Sequence, residues 1–166
     1  DDGVAGREGS EAREAEGLAT LAGGSVGEAI RLADRGGLEF YAQIVALAAT
    51  LPRLDRTAMR ALADKAAQRG SENRLDLIMT LIDLFLSRLA RAGVAARPAI
   101  PAVPGEPEVL ARLCPDAHAA RVWAELAQSM GARARAGAAV NLDPAALVID
   151  MILKIDGTAA QLASRR

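Results

Sequence analysis

The apolar residues of segment 72–91 recur at the spacing of a helix, and this regularity most constrains the fold. One stripe contains Leu75, Ile78, Met79, Ile82, Phe85, Leu86 and Leu89. A second stripe, on another side, contains Leu77, Leu81 and Leu84. A helix that is apolar over so much of its circumference must be covered on more than one side. The segment therefore predicts a central helix of a bundle.

The rest of the chain carries helix start and stop signals. Ser25, Asp55, Asp116 and Asp143 are suited to cap helix N-termini, and glycines or prolines follow the apolar stretches. We expect helices over about 11–21, 25–34, 38–51, 55–69, 72–91, 108–113, 116–137 and from 144 onward, the last weakened at Gly157. About half of the chain (51%) is hydrophobic but only four residues are aromatic, which favours helices over sheet. The predicted fold class is all-α, a helical bundle.

Two segments are predicted to lie outside the helices. Residues 1–10 are polar and rich in glycine, and we expect a loosely ordered start. Segment 92–107 holds four of the seven prolines at every third residue, which favours an extended path. Such a segment is a surface connection between helices or, less favoured, a ligand for an SH3-like groove.

Charge and cysteine content narrow the class of protein. The formal net charge is −1, so no overall basic field attracts nucleic acid or anionic lipid. The single cysteine, Cys114, excludes an internal disulfide and suits a reducing cytoplasm. No apolar run reaches the length of a membrane span, and the start lacks the features of a signal peptide. We expect a cytoplasmic protein, and the acidic start suggests a piece of a longer one.

The sequence offers no catalytic constellation. His118 is the sole histidine, and Cys114 and Asp116 beside it do not complete a metal site or a nucleophile with its base. Segment 23–27 lacks the strand, spacing and lysine of a phosphate loop. The carboxylates lie beside basic residues, and we expect most of them to be solvated or to cap helices. We expect no catalytic residue, no metal and no cofactor, and a small helical enzyme is disfavoured.

Segment 24–30, Gly-Ser-Val-Gly-Glu-Ala-Ile, resembles the start of the sensor-2 helix in the lid of AAA+ clamp-loader subunits. Members that use ATP carry Gly-Ser-x-Arg-x-Ala-Leu there. Gly27 stands in the place of that arginine, as in the delta-prime family of bacterial DNA polymerase III subunits. Four further motifs resemble the C-terminal half of alphaproteobacterial delta-prime subunits: GLEFY at 37–41, LIMTLID at 77–83, WAEL at 123–126 and NLDPAAL at 141–147.

This resemblance implies a domain organisation and a function. Residues 11–35 would be the end of the AAA+ lid, and 36–163 the helical collar domain that holds the loader pentamer together. The implied partners are a tau/gamma subunit on one side and the delta subunit on the other, with no direct contact to DNA. The implied role is assembly for sliding-clamp loading in DNA replication, as a non-catalytic part of the polymerase III holoenzyme, a nucleotidyltransferase.

Two questions stay open from the sequence. The chain could instead be a free-standing helical adaptor or regulatory interaction domain. The second apolar stripes, Leu77/Leu81/Leu84 and Ile149/Leu153, face either other helices of the same chain, which is favoured, or a neighbouring subunit. These five residues are therefore the candidate partner interface, and self-association of the isolated chain is also left open.

Overall fold

The computed structural model describes residues 2–70 and 72–165, and over these ranges the regular structure is entirely helical. The order is α1 (Asp2–Leu21), α2 (Val26–Asp34), α3 (Gly37–Ala49), α4 (Arg56–Ala67), α5 (Glu72–Ala92), α6 (Glu106–Leu113), α7 (Ala117–Ala139) and α8 (Pro144–Ser164). The predicted all-α class is confirmed. None of the described helices is long and apolar enough to span a membrane.

The four predicted N-caps all form. Ser25, Asp55, Asp116 and Asp143 each accept a hydrogen bond from the backbone N–H three residues later, at distances of 3.4, 3.0, 2.8 and 2.9 Å. Each bond satisfies one of the donors that a helix start leaves unpaired. Helix starts that depend on one local side chain were thus predicted within a residue or two.

Two helices begin at least two residues earlier than predicted. Helix α1 begins at Asp2, so residues 2–10, expected to be loosely ordered, are helical, whereas residue 1 lies outside the described residues. Extending a helix already packed at its far end adds a hydrogen bond for each residue that it orders. Helix α6 begins at Glu106, which places Pro107 in its first turn, where its missing N–H costs nothing. Helix α8 continues through Gly157.

Helix α5 lies at the centre of the bundle, as its two stripes predicted. It packs most extensively against α7 and also contacts α3, α4, α6 and α8, while α4 packs along α8. Its Ile78, Leu81 and Leu89 are inaccessible to solvent. The ring of Phe85 meets Tyr41 of α3 edge-on, with centroids 6.4 Å apart.

The first two helices join this core through a few leucines. Leu18 and Leu21 of α1 and Leu32 of α2 belong to the same cluster of buried side chains as the rest of the bundle. The expected boundary between a lid remnant and a collar domain at residues 35/36 stays a prediction, and no gap in the apolar core accompanies it.

Candidate interaction surfaces and a buried ionic cluster

The five candidate interface residues have different environments. Leu77 and Leu81 are buried beneath neighbouring helices, with exposed fractions of 3% and 0%, so in this structure they are core residues that a partner cannot reach. Leu84 and Ile149 are half-buried and pack on the core. Leu153, on α8, is 40% exposed. The Leu77/Leu81/Leu84 stripe thus follows the favoured intramolecular interpretation, and Leu153 presents the most apolar surface of the five residues.

A pair of exposed apolar residues lies on α2, and the sequence analysis did not predict it. Val26 and Ile30 are 74% and 56% exposed, whereas Leu32 of the same helix is buried. A spacing of four residues places Val26 and Ile30 on one face of the helix, away from Leu32. The signal was available, because a short helix with apolar residues on two sides cannot bury both against one neighbour. We call Val26 and Ile30 the α2 face.

Gly27 lies beside this face, in the first turn of α2. A Cβ built at this position would approach only the Arg31 side chain, at 3.8 Å. Ordinary van der Waals contact of this kind leaves room for a longer side chain, so packing does not require a glycine at position 27. The Ser25 cap meanwhile keeps the helix start intact.

The most polar feature of the interior is centred on Glu106, which is fully buried. Its Oε1 accepts hydrogen bonds from Tyr41 Oη and Arg88 Nε, both at 2.6 Å. Its Oε2 accepts from Ala102 N at 2.7 Å and from Arg88 Nη2 at 3.1 Å. Arg88 Nη2 also donates to the carbonyl of Ile100 at 2.7 Å. One carboxylate therefore joins α3, α5, α6 and the proline-rich connection; we call these groups the Glu106 cluster.

The electrostatics of the Glu106 cluster favour its charged form. Burial alone would raise the pKa of Glu106, but hydrogen bonds from Arg88, Tyr41 and Ala102 outweigh it and hold the pKa below its ordinary value. Burial and the adjacent carboxylate raise the pKa of the Tyr41 hydroxyl. Burial opposes the charge of Arg88, yet the bonds to Glu106 raise its pKa. A carboxylate with four donors around it is held in place and serves the fold.

Most acidic residues were expected to be solvated or to cap helices, and Glu106 is an exception that the sequence did not mark. Its partners lie 65 residues away at Tyr41 and 18 residues away at Arg88, so no local spacing marks them as a group. The sequence analysis also missed the long-range hydrogen bonds of Arg112, which donates to the carbonyls of Ala48, Ala49 and Leu51 at the end of α3. Such contacts follow from the tertiary fold alone.

The residues considered for chemistry do not come together. His118 is exposed in the first turn of α7, whereas Cys114 is buried before that helix. Within residues 2–70 and 72–165, no three side chains of His, Cys, Asp or Glu form a group that could hold a metal ion. Trp123 is fully buried and donates to the carbonyl of Leu113 at 2.9 Å, so the tryptophan of the WAEL motif packs in the core.

Comparisons with protein-family models, with curated proteins and with solved structures found no match for this chain.

Proposed function

We propose that this chain is an assembly region of a clamp-loader subunit of the delta-prime type, with no ATPase activity of its own. The observation that carries the proposal is the order of five sequence motifs that resemble this family, together with a glycine at the position of the sensor-2 arginine. In that role the chain would join a tau/gamma subunit and the delta subunit so that other parts of the loader open the sliding clamp.

The positions of these motifs support the proposal. The sensor-2-like segment forms a capped helix, α2, with Gly27 exposed beside the cap. A sensor-2 helix contributes to ATP use through its arginine, so glycine at that place fits the proposed absence of ATPase activity. The GLEFY and LIMTLID motifs lie on α3 and α5, the helices that share the Tyr41–Phe85 contact.

Exposed apolar residues on α2 and α8 provide a surface of the kind that assembly needs. The α2 face and Leu153 of α8 together present three aliphatic side chains to solvent. Single exposed aliphatic residues are ordinary, but an i, i+4 pair on a short capped helix is the geometry of an anchor for a neighbouring protein. We propose that the α2 face contacts one partner subunit, with Leu153 on a second contact surface.

Size-exclusion chromatography with purified tau/gamma and delta tests the proposal. We expect this chain to co-elute with both at low salt. Val26→Gln with Ile30→Gln should weaken the complex about tenfold or more, since two aliphatic side chains lose their burial. The matched control is Ala46→Gln, at an exposed position of α3, which should co-elute like the unmodified chain.

The outcomes separate the proposal from its alternative. Failure of the unmodified chain to co-elute with either subunit would contradict the clamp-loader assignment and favour a free-standing adaptor. If the double glutamine variant still co-elutes as the unmodified chain does, the assembly role is supported and the α2 face is rejected as its contact.

A further inference from the structure

The proline-rich connection forms one wall of a groove, and this groove was not suggested by the sequence. Its other walls are the last turns of α5 and one side of α6. The groove has a volume of about 410 Å³, in the range of sites that hold small ligands or short peptide segments. Its lining includes Ala95, Pro98, Pro107, Leu110 and Ala111.

The groove carries an excess of positive charge. Arg88, Arg91 and Arg97 line it, and no acidic side chain of the described chain does. Arg88 is paired with Glu106. Among the described side chains, neither Arg91 nor Arg97 has a carboxylate within ion-pair distance. Two guanidinium charges at the groove are therefore left without an internal counter-charge.

Arg88 adds a directional feature to this charge. Its Nε and Nη2 donate to Glu106 and to the carbonyl of Ile100, but its Nη1 has no acceptor among the described residues. The side chain is only 11% exposed and is held on one edge by the carboxylate. A guanidinium fixed in this way offers its remaining donors to a ligand at little entropic cost.

We propose that this groove binds a peptide segment of a partner protein that carries a carboxylate flanked by aliphatic side chains. Guanidinium groups recognise carboxylates through charge-assisted, often bidentate, hydrogen bonds. The alanine and proline walls complement aliphatic side chains, and their rigid backbone loses little freedom on binding. The proline-rich segment, considered from sequence as a ligand or a connection, would then form part of a receptor.

The lining favours a peptide over a nucleic acid. No aromatic ring of the described chain lines the groove, so it lacks the platforms on which single-stranded bases stack. The whole chain has a formal charge of −1, which gives no general attraction for a polyanion. A short acidic peptide segment can be bound by the local positive charge of Arg91 and Arg97 alone.

The test begins with selection of displayed random heptapeptides on the intact chain. We expect enriched sequences to combine Asp or Glu with Leu, Ile or Val. A fluorescein-labelled copy of the most enriched peptide is then titrated by fluorescence anisotropy, beside a copy in which each Glu or Asp is replaced by the amide. The amide copy should bind at least about tenfold more weakly, since charged hydrogen bonds are lost.

Variants of the protein assign the binding to the groove. Arg91→Glu with Arg97→Glu should weaken the acidic peptide at least about tenfold, while Arg56→Glu with Arg60→Glu, an equal charge change on the exposed side of α4, should leave it unchanged. Ala111→Trp fills the groove without changing charge and should also weaken the peptide. Retained melting temperatures establish that the variants are folded.

Several results would overturn the proposal. These are the absence of any enriched peptide, enrichment without acidic residues, and binding that persists in both the charge-reversed and the tryptophan variants. A fluorescein-labelled single-stranded DNA that binds the unmodified chain more tightly than the peptide, and loses binding with Arg91→Glu and Arg97→Glu, would reassign the groove to phosphate. The groove proposal is independent of the clamp-loader assignment, because its readout uses neither tau/gamma nor delta.

Discussion

The region around the Glu106 cluster and the first two helices, α1 and α2, are attached to the bundle by different interactions. Around the Glu106 cluster, buried hydrogen bonds join residues that are 18 and 65 positions apart in the chain. Along α1 and α2, the described side-chain hydrogen bonds join residues only three or four positions apart. These helices attach to the bundle mainly through Leu18, Leu21 and Leu32. The comparison indicates a polar-anchored region and a region held by apolar packing.

This difference has consequences for stability and for binding. A buried ionic group fixes one arrangement of the surrounding helices, because removing either partner leaves the other charge without compensation. A pair of helices held by a few leucines opens at lower cost. The second region is also the one that leaves Val26 and Ile30 uncovered.

Glu106→Gln should have the largest effect on the anchored region. The neutral amide leaves the nearly buried Arg88 without its counter-charge, and we expect a loss of about 3 kcal/mol in the free energy of unfolding. Urea denaturation followed by circular dichroism measures it. Glu108→Gln, two residues along and exposed, is the control and should change stability by less than about 0.5 kcal/mol. Equal effects of the two substitutions would refute a structural role for the Glu106 cluster.

Acid should weaken the same region. Because the folded pKa of Glu106 lies below its ordinary value, the unfolded chain takes up its proton first as pH falls. The stabilisation is therefore complete above the unfolded pKa of about 4.3 and is lost progressively below it. Urea denaturation at a series of pH values should show a shallower acid slope for Glu106→Gln than for the unmodified chain. Parallel slopes would contradict this assignment.

Alanine substitutions at two glycines should have opposite effects on stability, because one glycine lies in a close contact and the other on an open surface. A Cβ at Gly17 would collide with the carbonyl oxygen of Ala102, where α1 meets the proline-rich connection. Gly17→Ala should therefore cost about 1–3 kcal/mol through overpacking. A Cβ at Gly157, inside α8, meets nothing within 4 Å, so Gly157→Ala should stabilise by about 0.5–1 kcal/mol through helix propensity. Melting curves distinguish the two signs, and a stabilising Gly17→Ala would show that α1 does not pack there.

The smallest effect on stability is expected at the α2 face. Val26→Gln with Ile30→Gln changes exposed side chains and should alter the free energy of unfolding by no more than about 0.5 kcal/mol. Chemical denaturation checks this directly. A loss above about 2 kcal/mol would mean that the two residues are buried in solution, and it would remove them as a docking surface.

The parts that could be predicted from the sequence are those set by near neighbours in the chain. Asp55 and Asp143 mark their helix starts because the capped N–H lies three residues away. The spacing in α5 predicts a central helix because residues three and four positions apart lie on the same face of a helix. Periodicity identifies an apolar face but not what covers it. The sequence therefore could not show that Leu77 is buried and Leu153 exposed. Glu106 could not be found at all, because its partners become neighbours only when α3, α5 and α6 have packed.

Hydrogen exchange measured by mass spectrometry, on the chain alone and mixed with purified tau/gamma and delta, is the most direct test of the proposed assembly role. We expect exchange of α2 to slow in the mixture, because partner binding stabilises helices that are held mainly by apolar packing. The helices around the Glu106 cluster should exchange slowly in both samples. Unchanged exchange throughout the whole chain in the presence of both subunits would contradict the proposed assembly role, and a change confined to helices other than α2 would reject the α2 face as the contact.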